Sequence, residues 1–296
     1  MRAGATFAVR NGTRVYTHVP GCDDDGGPVA AVQWLQVVPH STSLVYQSYC
    51  DEPFHNLYAI APDGTGLRRI TDVQADQVQP RVSPDRTRIA FAESPFAGLS
   101  CKGCPQSLRT IGVDGTGATT LTSPPDCTFD DSPSWSPDGT QLAFSHSSCA
   151  DAPDVQVVAA GGGTPTDLHA SGFLVAWGAD RVAYANGRTL PTSEWTMGPD
   201  GTNRAKVGNG EAVALAWSTD GRLAYLVGTT VVVRGKKVQL PFEHVRSLAW
   251  SPDGTRFLVA AKPKDAPTFD VFTVRTDGTD ARRLTSNMDV SGADWR

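Results

Sequence analysis

The chain has 296 residues, a formal net charge of −5, 29 glycines and 21 prolines. With no basic surplus to neutralise phosphates, the composition argues against nucleic acid or an anionic membrane as partner. No apolar run approaches the ~18 residues of a membrane span, the Gly and Pro content suits many turns rather than long helices, and the opening MRAGATFAVRNG contains no apolar signal core, so no signal peptide is visible.

Taken in chain order, residues 5–19 (ATFAVRNGTRVYTHV) predict a hairpin turning at Asn11 and Gly12. Residues 31–47 are a stretched copy of a phrase that recurs at 80–91 (PRVSPDRTRIAF), 133–144 (PSWSPDGTQLAF), 175–185 (VAWGADRVAYA), 214–226 (ALAWSTDGRLAYL) and 247–260 (SLAWSPDGTRFLVA). Each copy predicts a short apolar strand, a turn and a second strand. Proline presets the first turn angle, aspartate bonds the turn locally, and glycine accepts the positive φ. SPDG is therefore read as a turn and not as a metal loop.

A second phrase follows each first one, at 56–71, 107–122, 154–169, 194–207, 231–240 and 270–285, and again reads strand, Gly-turn, strand. Each unit is thus four strands, A to D, and such a sheet buries both faces only by stacking on its neighbours. The A-strand markers Trp34, Val82, Trp135, Trp177, Trp217, Trp250 and Trp295 are 48, 53, 42, 40, 33 and 45 residues apart, around the ~40–45 of a propeller blade. Trp195 alone stands outside this register, on a C-strand. The recurring tryptophans read as packing between blades rather than as a sugar platform.

Trp295 ends an A-strand, and residues 5–19 resemble the B and C strands of another unit. The expectation is an all-β chain, residues 1–296 forming one β-propeller domain of seven four-stranded blades. It is closed by pairing of the C-terminal strand with the N-terminal hairpin, which removes the open sheet edge. Six blades is the alternative, with the hairpin a decoration.

W-S-P-D-G-T-x-L-A-F followed by D-G-T-G-x-x-x-L-T resembles the PD40 (WD40-like) repeat of TolB-type propellers, strongly in four units and loosely in the rest. The resemblance implies a closed propeller with a central channel, usually serving protein–protein interaction. Related propellers also cap peptidases of the prolyl oligopeptidase type. Two departures stand out: SPDR at 83–86 lacks the turn glycine, and the fourth unit has GAD after its Trp. TolB's N-terminal α/β domain has no counterpart, so a Tol-system role is not implied.

Six cysteines, Cys22, Cys50, Cys101, Cys104, Cys127 and Cys149, fall in D–A or B–C loops, which share one face of a propeller. The repeat register pairs Cys22 with Cys50 and Cys127 with Cys149, leaving Cys101–Cys104 (CKGC) as a short third bridge. Oxidised bridges favour an extracytoplasmic setting: secreted, periplasmic or at the cell surface. The alternatives are a zinc site of CKGC with Cys127 or His146, a redox CxxC, and reduced thiols.

The chain contains no G-x-S-x-G, H-E-x-x-H, Walker A or EF-hand pattern, and its six histidines are dispersed. No catalytic residue is assigned. Counting back from the markers places Asp76, Asp130, Glu211, His244 and Asp289, together with Ser171, just before the A-strands. There they would form a mainly acidic ring at the channel mouth, suited to a cation or a basic segment. The bland reading of these residues is polar groups satisfying strand starts.

The leading function is a non-enzymatic scaffold binding a protein or peptide on the loop-rich face and channel mouth, without a resident cofactor and as a monomer. A calcium ion in the channel is left open. The alternatives are a propeller-type hydrolase or lyase with a channel metal, and a sensor or gating domain of a larger protein.

Overall fold

A computed structural model describes residues 7–10, 13–16, 34–37, 44–48, 56–60, 68–95, 105–186, 192–251, 253–267, 269–283 and 292–295. Every regular element among them is a β-strand. Strands β1 (Phe7–Arg10) and β2 (Thr13–Tyr16) form a two-stranded hairpin. Next come β3 (Trp34–Val37), β4 (Leu44–Ser48), β5 (Asn56–Ile60) and β6 (Arg68–Arg69), then β7 (Asp76–Val82), β8 (Arg88–Ser94), β9 (Ser107–Gly112) and β10 (Thr119–Thr120). The third group is β11 (Thr128–Trp135), β12 (Gln141–Ser148), β13 (Asp154–Ala159) and β14 (Thr166–Ser171), and the fourth is β15 (Phe173–Trp177), β16 (Val182–Asn186), β17 (Ser193–Met197) and β18 (Ala205–Lys206). The fifth is β19 (Ala212–Trp217), β20 (Leu223–Val227), β21 (Thr230–Val233) and β22 (Lys236–Gln239). The chain finishes with β23 (His244–Val245), β24 (Ala249–Trp250), β25 (Arg256–Lys262), β26 (Asp270–Arg275), β27 (Arg282–Arg283) and β28 (Gly292–Trp295).

Within each group the strands pair antiparallel in sequence order, the A-to-D unit of the repeat. Local chemistry explains why the phrase folds so. In 136–140 the Ser136 hydroxyl donates to Asp138 at 2.6 Å, and Asp138 accepts from the Thr140 amide and hydroxyl at 3.0 and 2.9 Å. The same Ser136 oxygen accepts the Gln141 amide, so the turn meets its own polar demands before the second strand begins. The pattern repeats around Ser83–Asp85–Thr87 and Ser251–Asp253–Thr255.

No sheet buries both faces alone. Leu108, Ala90 and Ala92 of β8–β9 pack with Trp135, Leu142 and Phe144 of the next sheet. Val155 and Val157 pack likewise with Trp177, Val182 and Tyr184, and Leu226 and Val231 with Trp250 and Phe257. The cores therefore lie between sheets. The inner strands neighbour one another in order, β3 with β7, β7 with β11, β11 with β15, β15 with β19, β19 with β24, and β24 with β28. This is the architecture of a β-propeller.

The blade count differs from both expectations. Five blades have four strand positions, the last of these with its inner strand split into β23 and β24, both paired to β25. The remaining sheet has five strands in the order β28-β3-β4-β5-β6. The expected closure is also not what forms: β28 pairs with β3 in parallel, from Gly292 opposite Trp34 to Trp295 opposite Val37. One inner strand thus takes another as partner. Hairpin β1–β2 pairs only within itself among the described residues, and no seventh blade is assembled on it. Trp34 opens β3, whereas Trp135, Trp177, Trp217, Trp250 and Trp295 end their strands.

Candidate functional site

The inner strands are irregular in a repeated way. The pairing register slips between Val78 and Arg81 in β7, between Asp131 and Ser134 in β11, and between Phe173 and Ala176 in β15. It slips again between Ala212 and Ala214 in β19. In the last blade the inner strand is interrupted outright, between Val245 and Ala249. Three slip residues take positive φ: Gln79 at 55°, Ser132 at 53° and Leu174 at 53°. Bulges re-aim side chains and bend strands. Here Gln79, Ser132, Leu174, Val213 and Arg246, one from each of five blades, all line a central cavity of about 510 Å³.

Hydrogen bonds join these strands around the cavity. The Trp135 indole donates to the Arg81 carbonyl at 2.9 Å, Trp217 to the Ala176 carbonyl at 3.1 Å, and Trp250 to the Ala216 carbonyl at 3.2 Å. The Trp177 amide donates to the Ser134 hydroxyl, and the Ser132 amide to the Gln79 side chain at 2.6 Å. Trp135, Trp217 and Trp250 therefore join neighbouring blades through a polar handle. Trp217 also explains the GAD departure: a Cβ on Gly178 would lie 2.6 Å from the Trp217 ring, so the serine of the other turns has no room there. Trp195, on β17, is partly buried against the core and donates its indole N–H to Ser193.

Charge in the described lining is one-signed. Arg81 and Arg246 line the cavity, and no carboxylate does so among the described residues. The Arg246 guanidinium lies over the Phe269 ring, 3.6 Å from its centroid. The lining also includes Leu174, Val175, Val213, Leu215 and Trp217.

Of the residues expected at the mouth, Asp76, Glu211 and His244 stand at or just before the starts of inner strands. Asp76 begins β7 and is half-buried, Glu211 is exposed just before β19, and His244 is exposed at the start of β23, its ring 6.4 Å from Phe269. Ser171 ends β14 and Asp289 lies outside the described residues. Asp130 is 2% exposed and bonds His146 Nδ1 at 2.5 Å. None of these residues is in the described cavity lining. The residues that do reach it sit at the bulge, three or four places before the markers. A repeat-register count is able to find that position, but strict strand alternation hides it.

Asp130 and Asp131 do not make an acid–base pair. Successive strand residues face opposite sides of a sheet, and Asp130 turns to His146 while Asp131 pairs across to Ser145. Burial pushes both carboxyls up, Asp131 to about 6. His146 sits in the ladder between Asp130 and Asp154, and burial raises Asp154 also.

Cys127 and Cys149 form a disulfide, with the Cys149 amide donating to the Cys127 carbonyl at 2.9 Å. The bridge extends the β11–β12 ladder by one rung beyond Thr128–Ser148 and ties a D–A loop to a B–C loop. In this bridge Cys127 is not available as the zinc ligand of the alternative reading. Cys22, Cys50, Cys101 and Cys104 lie outside the described residues.

No family model and no curated protein matches the sequence. Solved structures do match in fold. TolB from Acinetobacter baumannii is 15% identical, with 78% of this chain and 60% of that one covered and a TM-score of 0.59. The fold is a β-propeller similar to that of TolB. It is similar also to a Mycobacterium tuberculosis puromycin-hydrolyzing peptidase, 18% identical with a TM-score of 0.67, covering 96% of this chain and 50% of that one. An oligogalacturonate lyase in complex with manganese is 14% identical with a TM-score of 0.60, covering 82% of this chain and 74% of that one. The chain thus spans about half the length of the peptidase and under two thirds of TolB.

Proposed function

We propose that the chain is a binding propeller that takes a protein or peptide segment at the loop-rich face and admits part of it into the channel. The observation that carries this reading is the preformed cavity. Its walls are backbone strands locked to one another by indole–carbonyl bonds, so the site costs little ordering when a ligand arrives. The Cys127–Cys149 bridge supports the same face as the working one, because it fixes the loops there. It also supports an extracytoplasmic setting.

The second reading is a hydrolase or lyase, or a gating domain of one. Its support is the likeness to a peptidase and a lyase, and the short span of this chain against the peptidase. The lyase neighbour holds manganese, whereas no three His, Cys, Asp or Glu side chains converge as metal donors among the described residues. No step is therefore routed through a metal.

Selection of displayed random peptides on the wild-type protein and on Val213→Trp separates the readings. Val213 is 46% exposed and lines the cavity, so a bulky ring there plugs it. Peptides enriched on wild type and lost on the plugged variant are the expected outcome. The same peptides on both proteins, or cleavage of the selected peptides, would contradict the proposal.

A further inference from the structure

We propose that the channel edge of β19 is a strand-addition site, taking an extended peptide segment as a parallel neighbour. The inference rests on the binding reading above and names how the peptide is held: by backbone bonds along β19.

An antiparallel ladder spends the N–H and C=O of alternate residues on its partner and turns those of the residues between to the other edge. In β19 the Ser218 amide donates to the Arg222 carbonyl at 2.9 Å, and Trp217 stands opposite Leu223. Ala214 and Ala216 therefore bond β20, while Leu215 and Trp217 turn their amides to the channel. β15 has the same register, the Gly178 amide donating to the Arg181 carbonyl. There the channel-side amide of Trp177 is taken by the Ser134 hydroxyl, and on β11 the Ser132 amide is taken by the Gln79 side chain. In the places of Gln79 and Ser134, three and one before the marker, β15 offers β19 only Leu174 and Ala176, whose side chains accept nothing. β19 is the end strand of its sheet. Among the described residues no strand pairs with its channel edge, and no acceptor meets the Leu215 or Trp217 amide.

The edge is also open. Every residue from Val213 to Trp217 lines the cavity and is at least partly exposed, whereas Trp135, Trp177 and Trp250 are buried at the same marker position. Beside β19 the next inner strand is interrupted between Val245 and Ala249. A row of unpaired backbone groups is a template for another strand, and extended peptides dock on such edges. The molecule itself shows what an inner strand accepts there: β3 holds β4 on one edge and β28 on the other, in parallel. The occupant of β19 is a segment of the same kind, extended, free of proline and about four residues long, as β28 is.

The test is calorimetric titration of the full chain with acetyl-Ser-Gly-Ala-Asp-Trp-Arg-amide, the sequence of residues 291–296, and with copies each carrying one backbone N-methyl group. β3 already holds the chain's own copy of this strand, so β19 is the edge the peptide finds. Only alternate amides of an added strand face β19. Methylation is therefore expected to cut affinity about tenfold at every second position and to leave the positions between within about twofold, the scale of one lost hydrogen bond. Ala176→Ser supplies Trp217 with the hydroxyl that Ser134 gives Trp177, and is expected to weaken the unmethylated peptide about fivefold with thermal unfolding unchanged. Leu215→Pro, which removes one channel-edge N–H, is the second variant. A methyl scan without alternation, an Ala176→Ser protein that binds as wild type, or no binding of the peptide would overturn the inference. So would self-association of the chain without peptide that Ala176→Ser abolishes, which makes a second copy's strand the occupant. If peptides selected on the wild type are lost on Val213→Trp but their own methyl scans do not alternate, the binding reading stands and only strand addition falls.

Discussion

Aspartate in the SPDGT turn works by accepting three bonds at once, and its ionisation records this. The serine hydroxyl two residues earlier holds Asp85, Asp138 and Asp253 below the usual carboxylate range. A carboxylate lowered in the fold stabilises it at neutral pH and loses that contribution as pH falls through the lowered value. Asp131 acts in the opposite sense. Burial, with the Asp130 charge adding to it, raises Asp131 to about 6. The fold then binds a proton more readily than the unfolded chain, so this residue's contribution declines as pH rises from about 4 to about 6. Asp131→Asn is expected to raise the thermal midpoint at about pH 7.5 more than at about pH 4.5, a difference calorimetry at the two values would show. A second residue-scale outcome concerns the SPDR departure. Arg86 stands in the glycine position with φ of 64°, where an L side chain costs about 1–2 kcal/mol. Arg86→Gly is expected to stabilise by about 1 kcal/mol after the added freedom of the unfolded glycine is set against it. Urea unfolding gives the sign directly; a loss of stability would show that the arginine side chain holds more than its backbone strains.

Elements were legible in the sequence to different depths. The turns were readable because their chemistry is local: Ser136, Asp138 and Thr140 satisfy one another within a few residues. The Cys127–Cys149 pairing was readable because repeat register places both at the same end of one hairpin. Replacing both by serine is expected to cost about 3 kcal/mol, the scale for closing a loop of this order, read from the denaturation midpoint of the double variant. The inner-strand bulges were not readable. A bulge adds one residue without changing composition, so nothing in the repeat phrase singled out Gln79 and Val213, which line the cavity. The GAD departure was visible as an anomaly, but its cause, the Trp217 ring over Gly178, is a contact between units far apart in sequence.

At the scale of the molecule, the stacking of sheets followed from the repeat, because Trp135, Trp177 and Trp250 recur where each sheet needs a neighbour. The joining of the ends did not follow: β28 pairs with β3 in parallel rather than with the hairpin. What the assembled strands create is a cavity that no single unit encodes: four inner-strand bulges and one strand interruption each place a residue in its lining. The central claim is that the channel admits part of a peptide ligand. A crystal structure of the protein with a peptide selected on it tests this most directly. The expected result is peptide in the channel against Val213 and Trp217; peptide confined to the outer strands, with none in the channel, would contradict it.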